Sequence, residues 1–298
     1  MLRIADEMSF SISRSATALK SGKALRVALL MSDHIRLWFS ASVIEGLNQV
    51  LHADGYDLSI FQISSIEERR EFFDMLPVRR NADAVIVASI DVDAQESAQL
   101  ASTGVPIIGI NCVNPREYGF TAAVGIDDDQ GSRLVACHLI GLGHRNIVYV
   151  RTSREVSLRF SVQQRYDSFV KACLEQGVTP TTLVAQESED RISTIVSELL
   201  SLPQMPTAIA CQEDGIAIPL IYQLVCCGYR IPSDISVIGY DHDIGLTTIR
   251  QDPIGMAREA ACKTLDLINR KTTGMPFQTF PAQLIVRSST SRVSLDKG

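Results

Sequence analysis

Ile231-Pro232-Ser233-Asp234-Ile235-Ser236-Val237-Ile238-Gly239-Tyr240-Asp241 combines a turn, an apolar run and an acid at the end of that run. Pro232 fixes its own backbone and, with Ser233 and Asp234, signals the turn. The run from Ile235 to Tyr240 is rich in β-branched residues with no polar alternation, which reads as a strand covered on both faces. Strands of that kind belong to parallel sheets with helices on either side, where ligands bind beyond the carboxyl ends. Asp241 stands at such an end, so it either meets a ligand or caps a following helix.

Read outward from there, strand and helix alternate through the chain. Strands are predicted at Val27 to Met31, Leu58 to Ile63, Ala84 to Ala88, Val105 to Ile110 and Ala122 to Ile126. The first helix shows its apolar face at Val43, Leu47, Val50 and Leu51 and stops at Gly55; others fall at 67–76 and 94–103. A second series has strands at 147–151, 182–186, 207–211 and 235–240, with helical three-and-four spacing between them. A helix at 254–269 and a strand Gln283 to Arg287 close the chain. The fold class is therefore α/β, two doubly wound parallel-sheet lobes with a cleft between them.

The 298 residues are enough for two cores, and 46% apolar with 21% charged residues is an ordinary globular composition. No apolar run reaches a membrane span and Met1 to Asp6 is no secretory signal, so a cytoplasmic protein is expected. Seven cysteines form neither a disulfide framework nor a CxxC zinc pattern, and adjacent Cys226 and Cys227 point too far apart on a helix to share a metal. The net charge of −6 divides unevenly. Residues 8–32 carry Arg14, Lys20, Lys23 and Arg26 and no acid, leaving −10 for the rest. Only that basic leader suits a polyanion. Residues 1–10 read as the last helix of a unit that begins earlier, with Leu2, Ala5 and Met8 on one stripe.

Five motifs in order carry a resemblance. They are Val124-Gly-Ile-Asp127-Asp-Asp-Gln-Gly131 leading to Gly143-His144-Arg145; Arg165-Tyr-Asp-Ser-Phe169; Pro206-Thr-Ala208 with Glu213-Asp214; Gly228-Tyr-Arg-Ile-Pro232 into Asp241; and Val286-Arg-Ser-Ser-Thr290. With them the chain resembles the LacI/GalR family of bacterial transcription regulators from about residue 3 to residue 292. The resemblance implies a type I periplasmic-binding-protein-like body with three crossovers, near 126–128, 244–250 and 276–283. It implies an N-terminal lobe of 25–126 plus 250–277 and a C-terminal lobe of 127–249 plus 278–298. Residues 1–24 then correspond to a remnant of the DNA-binding headpiece and hinge helix, with the preceding helix-turn-helix largely missing and a late-called start as the expected cause. Within the hinge, Ser13, Arg14, Ala16, Ala18, Leu19 and Lys20 fall on the DNA-contacting segment, and Leu19 matches the leucine that wedges into the minor groove. Ile12 and Ser13 depart from the family's Pro-Asn at that point.

The candidate effector site joins residue chemistry to this resemblance. Ser161 with Gln164 reads as a capping box, which places Arg165 in the first turn of a helix and Arg159 just before it. A helix dipole opposes cations there, so a ligand-facing role outweighs a solvated one about two to one. The resemblance puts effector contacts at Arg159, Ser161 and Arg165, and further ones at Asp127 and Asp241. Helix capping is the competing reading for Asp127, while Asp214 is expected to be an N-cap. Glu213 accepts but cannot donate, which asks for hydroxyls or amines on the ligand. Trp38 and Phe39 stand where the family places groups over the effector ring, with core packing at even odds. Asn111 is a weaker lining candidate. His138 and His144 are read as helix-end residues, and no GxSxG, HExxH or Walker A pattern points to an enzyme.

The expected function is a dimeric repressor, without cofactor or metal, that binds a small polar effector between its lobes. A sugar is favoured over a purine, and operator DNA is the partner of the full-length form. A solute-binding protein, or an effector sensor without specific DNA binding, is the alternative.

Overall fold

The computed structural model describes residues 22–32, 34–63, 65–75, 81–90, 92–112, 114–153, 161–241 and 245–293. The hinge residues Ser13, Arg14, Ala16, Ala18, Leu19 and Lys20 and the ligand candidate Arg159 lie outside them.

Two six-stranded sheets organise the chain. The first contains β1 (Arg26–Met31), β2 (Asp57–Gln62), β3 (Ala84–Ala88), β4 (Ile107–Ile110), β5 (Ala122–Ile126) and β11 (Phe277–Phe280), in spatial order β11-β5-β4-β3-β1-β2. All of its pairings are parallel. The second contains β6 (Ile147–Ser153), β7 (Thr181–Gln186), β8 (Ala208–Cys211), β9 (Ser236–Asp241), β10 (Thr247–Arg250) and β12 (Gln283–Ile285), in order β12-β10-β9-β8-β6-β7. Only β12 runs antiparallel, against β10. In β3, β4 and β8 every residue is buried, as expected where helices cover both faces.

Helices α1 (Trp38–Ala53) and α8 (Pro253–Ile268) pack together on the first sheet, with α2 (Ile66–Met75) and α3 (Ala94–Ser102) as the other pair. In the second lobe α4 (Asp128–Gly141) packs on α5 (Ser161–Glu175) and α6 (Arg191–Leu200) on α7 (Asp214–Cys226). Gly46 lets α1 and α8 approach: a Cβ there would meet Ala257 Cβ at 2.7 Å and collide with the Ile254 carbonyl. One buried cluster runs from Leu29 and Leu47 through Ile126 and Ala136 to Tyr149 and Phe169, so the two lobes share a continuous core.

Two segments differ from the sequence expectation. Residues within 244–250 and 276–283, read as crossovers, form β10 and β11. Thr247 and Thr248 are fully buried, which their polarity conceals, because their hydroxyls bond Thr290 and Asp214. The chain changes sheets after Ile126, between Arg250 and Pro253, and between Phe280 and Gln283. A lobe boundary at 277/278 would cut β11, all of which belongs to the first sheet.

His144 closes the end of α4 through its backbone, whose N–H donates to the Leu139 carbonyl at 3.1 Å, but its side chain is buried in the second lobe. It lies three residues past α4, is 2% exposed, and sits between Thr207 at 3.0 Å, Ser236 at 3.1 Å and the Ser291 carbonyl at 3.0 Å. Burial lowers its pKa below the usual 6.5, with the Ser291 carbonyl partly offsetting this. The unfolded chain therefore binds more protons below about pH 6.5, and stability falls as pH drops through that value toward the folded pKa. The slope is at most about 1.4 kcal/mol per pH unit for one proton. Urea midpoints for wild type and His144→Gln between pH 7.5 and 5.5 check this: the wild type should lose stability relative to the variant as pH falls. Parallel curves would refute it.

Candidate functional site

Three strand tips at the carboxyl edge of the sheets carry backbone strain. Ser89 follows β3 with φ 53°, Asn111 follows β4 with φ 51°, and Asp241 ends β9 with φ 143°. Non-glycine residues rarely adopt positive φ, and such conformations gather at ligand sites where the surrounding structure holds them. A cavity of about 580 Å³ opens next to the β4 tip, along β5 and β11. Its wall takes Cys112 and Arg116 from the loop after β4, Asp127 and Asp128 from the first crossover, and Gln164 from α5. Both lobes thus border it.

Behind the cavity lies a buried polar network. Arg165 Nε donates to Asp128 Oδ1 at 2.7 Å, and the two residues are 6% and 4% exposed. Tyr240 Oη donates to the same oxygen at 2.8 Å, and the Arg165 guanidinium stacks 3.9 Å from the Tyr240 ring centre. Gln251 accepts from Arg165 at 3.4 Å and donates to Asp241 Oδ1 at 2.6 Å. Burial works against the charge on Arg165, but Asp128, Tyr240 and Asp241 outweigh it and hold the guanidinium protonated. Asp241 shows the converse. Burial pushes its carboxyl well above the usual range, Arg165 opposes this, and Glu213 and Asp214 reinforce it.

The network also fastens the crossovers. Asp128 follows the first, Gln251 lies in the second, and Gln130 Oε1 accepts the backbone N–H of Ala282 in the third at 2.9 Å. Gly131 makes room, since a Cβ there would overlap the Tyr240 hydroxyl.

The sequence candidates distribute as follows. Asp127 caps α4 by accepting from Gln130 N at 2.9 Å, the competing reading, and also lines the cavity. Arg165 and Asp241 belong to the network behind, and Glu213 is close enough to Asp241 to raise its pKa. Among the described residues Asp241 caps no helix. Asp214 is not an N-cap either: that position is Glu213, and the buried Asp214 carboxylate accepts from Thr248 Oγ1 at 2.9 Å. Asn111 Oδ1 accepts from Ile126 N at 3.0 Å, which pins the tip of β4 to that of β5. Trp38 and Phe39 open α1, the first 42% exposed and the second packed against the core. Ser161 begins α5, and only its place on the backbone is described. Asp128, Tyr240 and Gln251, which complete the network, are not among the sequence candidates. The available signal was an arginine in a helix's first turn, which demanded a buried anion.

Among the described residues no group of His, Cys, Asp and Glu could hold a metal ion, and no helix is long and apolar enough to cross a membrane. The family described as periplasmic binding protein-like domain matches residues 136–290. The arabinose metabolism transcriptional repressor of Halalkalibacterium halodurans is 25% identical over 301 residues, covering 93% of this chain and 79% of that protein. The HTH-type transcriptional repressor PurR of Vibrio vulnificus is 26% identical over 306 residues, covering 99% and 90%. Among solved structures, a LacI family transcriptional regulator from Enterococcus faecium with bound ribose is 25% identical, with a TM-score of 0.76 over 90% of this chain and 100% of that one.

Proposed function

Because the chain belongs to the LacI/GalR family of transcription regulators and carries its periplasmic binding protein-like body, we propose that it is an effector-responsive repressor. Its effector is a small neutral polyhydroxylated molecule held in the cleft at Asp127, Asp241 and Glu213. Arg159, Ser161, Trp38, Phe39 and Asn111 are its further contacts. Arg165 acts from behind, fixing Gln251 and through it Asp241. The single observation carrying this reading is the strained Asp241 at the end of β9, tied through Gln251 to Arg165. The ribose-bound relative supports a sugar.

Effector binding changes the angle between lobes, and the hinge residues Ser13 to Lys20 pass that change to operator DNA. A coupling of about 1–3 kcal/mol is typical of such devices. The chain acts as a homodimer. Ile218, Tyr222 and Val225 form an exposed apolar stripe on α7 that supports one contact face. Sedimentation of Tyr222→Asp is expected to give monomers; an unchanged dimer would remove that face from the proposal.

Trp38 is the single tryptophan, so its fluorescence reports binding directly. Titration with ribose, arabinose and purine bases is expected to give saturable binding to a sugar. Asp241→Asn should weaken it roughly tenfold to a hundredfold, the cost of one buried hydrogen bond to a charged or polar partner. Saturation by a purine alone would replace the ligand class. Heat-silent, fluorescence-silent mixtures with all of them would sink the cleft assignment.

A further inference from the structure

β5 and β11 are parallel neighbours, and each leads into a crossover to the second lobe. Their pairing runs as far as Ile126 opposite Phe280, and one more backbone bond follows, from the Asp127 N–H to the Phe280 carbonyl at 2.9 Å. There the ladder breaks. The next residue on one side is Pro281, which has no N–H to offer. On the other side the Asp127 carbonyl already accepts from Gly131 N at 2.9 Å, because α4 begins there.

A side chain takes over at the break. Gln130, in the first turn of α4, places its Oε1 2.9 Å from the backbone nitrogen of Ala282, the first donor after the proline. Ala282 is 4% exposed, so its N–H needs an acceptor from the protein. Gly131, beside Gln130, lets the two crossovers run close, since a Cβ there would stand 3.2 Å from Ala282 Cβ. Gln130 itself is exposed, and shortening it takes nothing from the core.

We propose that Gln130 is a positioning residue for the cleft: its amide oxygen joins the first and third crossovers into one two-stranded pivot, which sets the angle between the lobes. The inference rests on the effector acting through that angle. Hinges are a few residues between packed bodies that absorb the backbone change, so bonds among those residues decide which motions are open. Two crossovers bonded past the sheet bend together about one axis. Released from each other, they bend separately, and the lobes gain a twist that blurs the geometry of the cleft.

The test needs no effector. Spin labels on unnatural amino acids at Ala98 of α3 and Glu198 of α6, both exposed, report the distance between lobes in the full chain diluted with unlabelled copies. Gln130→Ala is expected to widen the distance distribution at least twofold and to speed hydrogen exchange at the Ala282 amide at least tenfold. Gln130→Glu, which keeps an acceptor oxygen at the same reach, is expected to restore both. Exchange at Leu29 and Ile209, in the two sheets, should stay unchanged, which separates a pivot from general loosening. Should Gln130→Ala fail to fold, the unaltered chain still decides: its Ala282 amide is expected to exchange at least tenfold more slowly than an unstructured alanine, and exchange at the unstructured rate overturns the proposal. Equal distance distributions in wild type and Gln130→Ala overturn it as well, and so does a widening that Gln130→Glu leaves in place. Failure of the sugar titration bears on the cleft assignment alone, because neither readout involves a ligand.

Discussion

Arg165→Ala is expected to lower the unfolding free energy by about 3–5 kcal/mol, the usual cost of removing one partner from a buried ion pair. The loss comes from what is left behind. Asp128, 4% exposed, would keep the Tyr240 hydroxyl as a donor but lose the only cation bonded to it among the described residues. Gln251 would lose a donor as well, and its hold on Asp241 would loosen. Arg165→Met combined with Asp128→Leu should recover most of the stability, because two apolar groups of similar volume need no solvation. It should not recover effector binding, since the support of Asp241 is gone. Urea unfolding of the single and double variants measures the first effect and Trp38 fluorescence the second. A single-variant loss below about 1 kcal/mol would mean that the pair is solvated and not a strut.

Gly46→Val is the second large effect, expected to cost about 3 kcal/mol through overpacking. Even a Cβ at this position overlaps the Ile254 carbonyl and Ala257 Cβ, and both belong to the neighbouring helix, which cannot yield like a flexible side chain. Glycine inside a helix is itself unfavourable by roughly 1 kcal/mol against alanine, so Gly46→Ala gains propensity while it loses contact. The valine variant separates these, because it adds bulk without the alanine gain. Thermal unfolding should show it well below wild type. An unshifted midpoint would show that α1 and α8 can part without cost.

Much of the fold was legible because buried parallel strands announce themselves. Ala84 to Ala88 and Ala122 to Ile126 are apolar throughout, and burial makes them so. The strand Thr247–Arg250 was not legible, since two of its four residues are threonines whose burial depends on Ser289, Thr290 and Asp214. Those partners lie about forty residues away in sequence. At the candidate site, the oddly placed Arg165 was visible as an anomaly, but its explanation was not. Asp127, Asp128 and Asp129 are chemically alike, and only the turn of the helix decides that Asp128 points inward while Asp127 caps and Asp129 faces solvent. Asp241 stood out by its strand end, yet the donor that orients it, Gln251, comes from a different crossover.

The order in which the chain leaves the ribosome follows a different logic from the order of the sheets. The first lobe cannot finish its core with residues 26–126, because α8 and β11, encoded more than a hundred residues later, cover α1 and flank β5. During synthesis that half must wait, with Val43, Leu47 and the Gly46 groove uncovered, until nearly the whole polypeptide has emerged. Nascent chains stalled before residue 253 should accordingly expose this surface to chaperones and proteases, and release from that vulnerability should come abruptly once Pro253–Ile268 clears the exit tunnel.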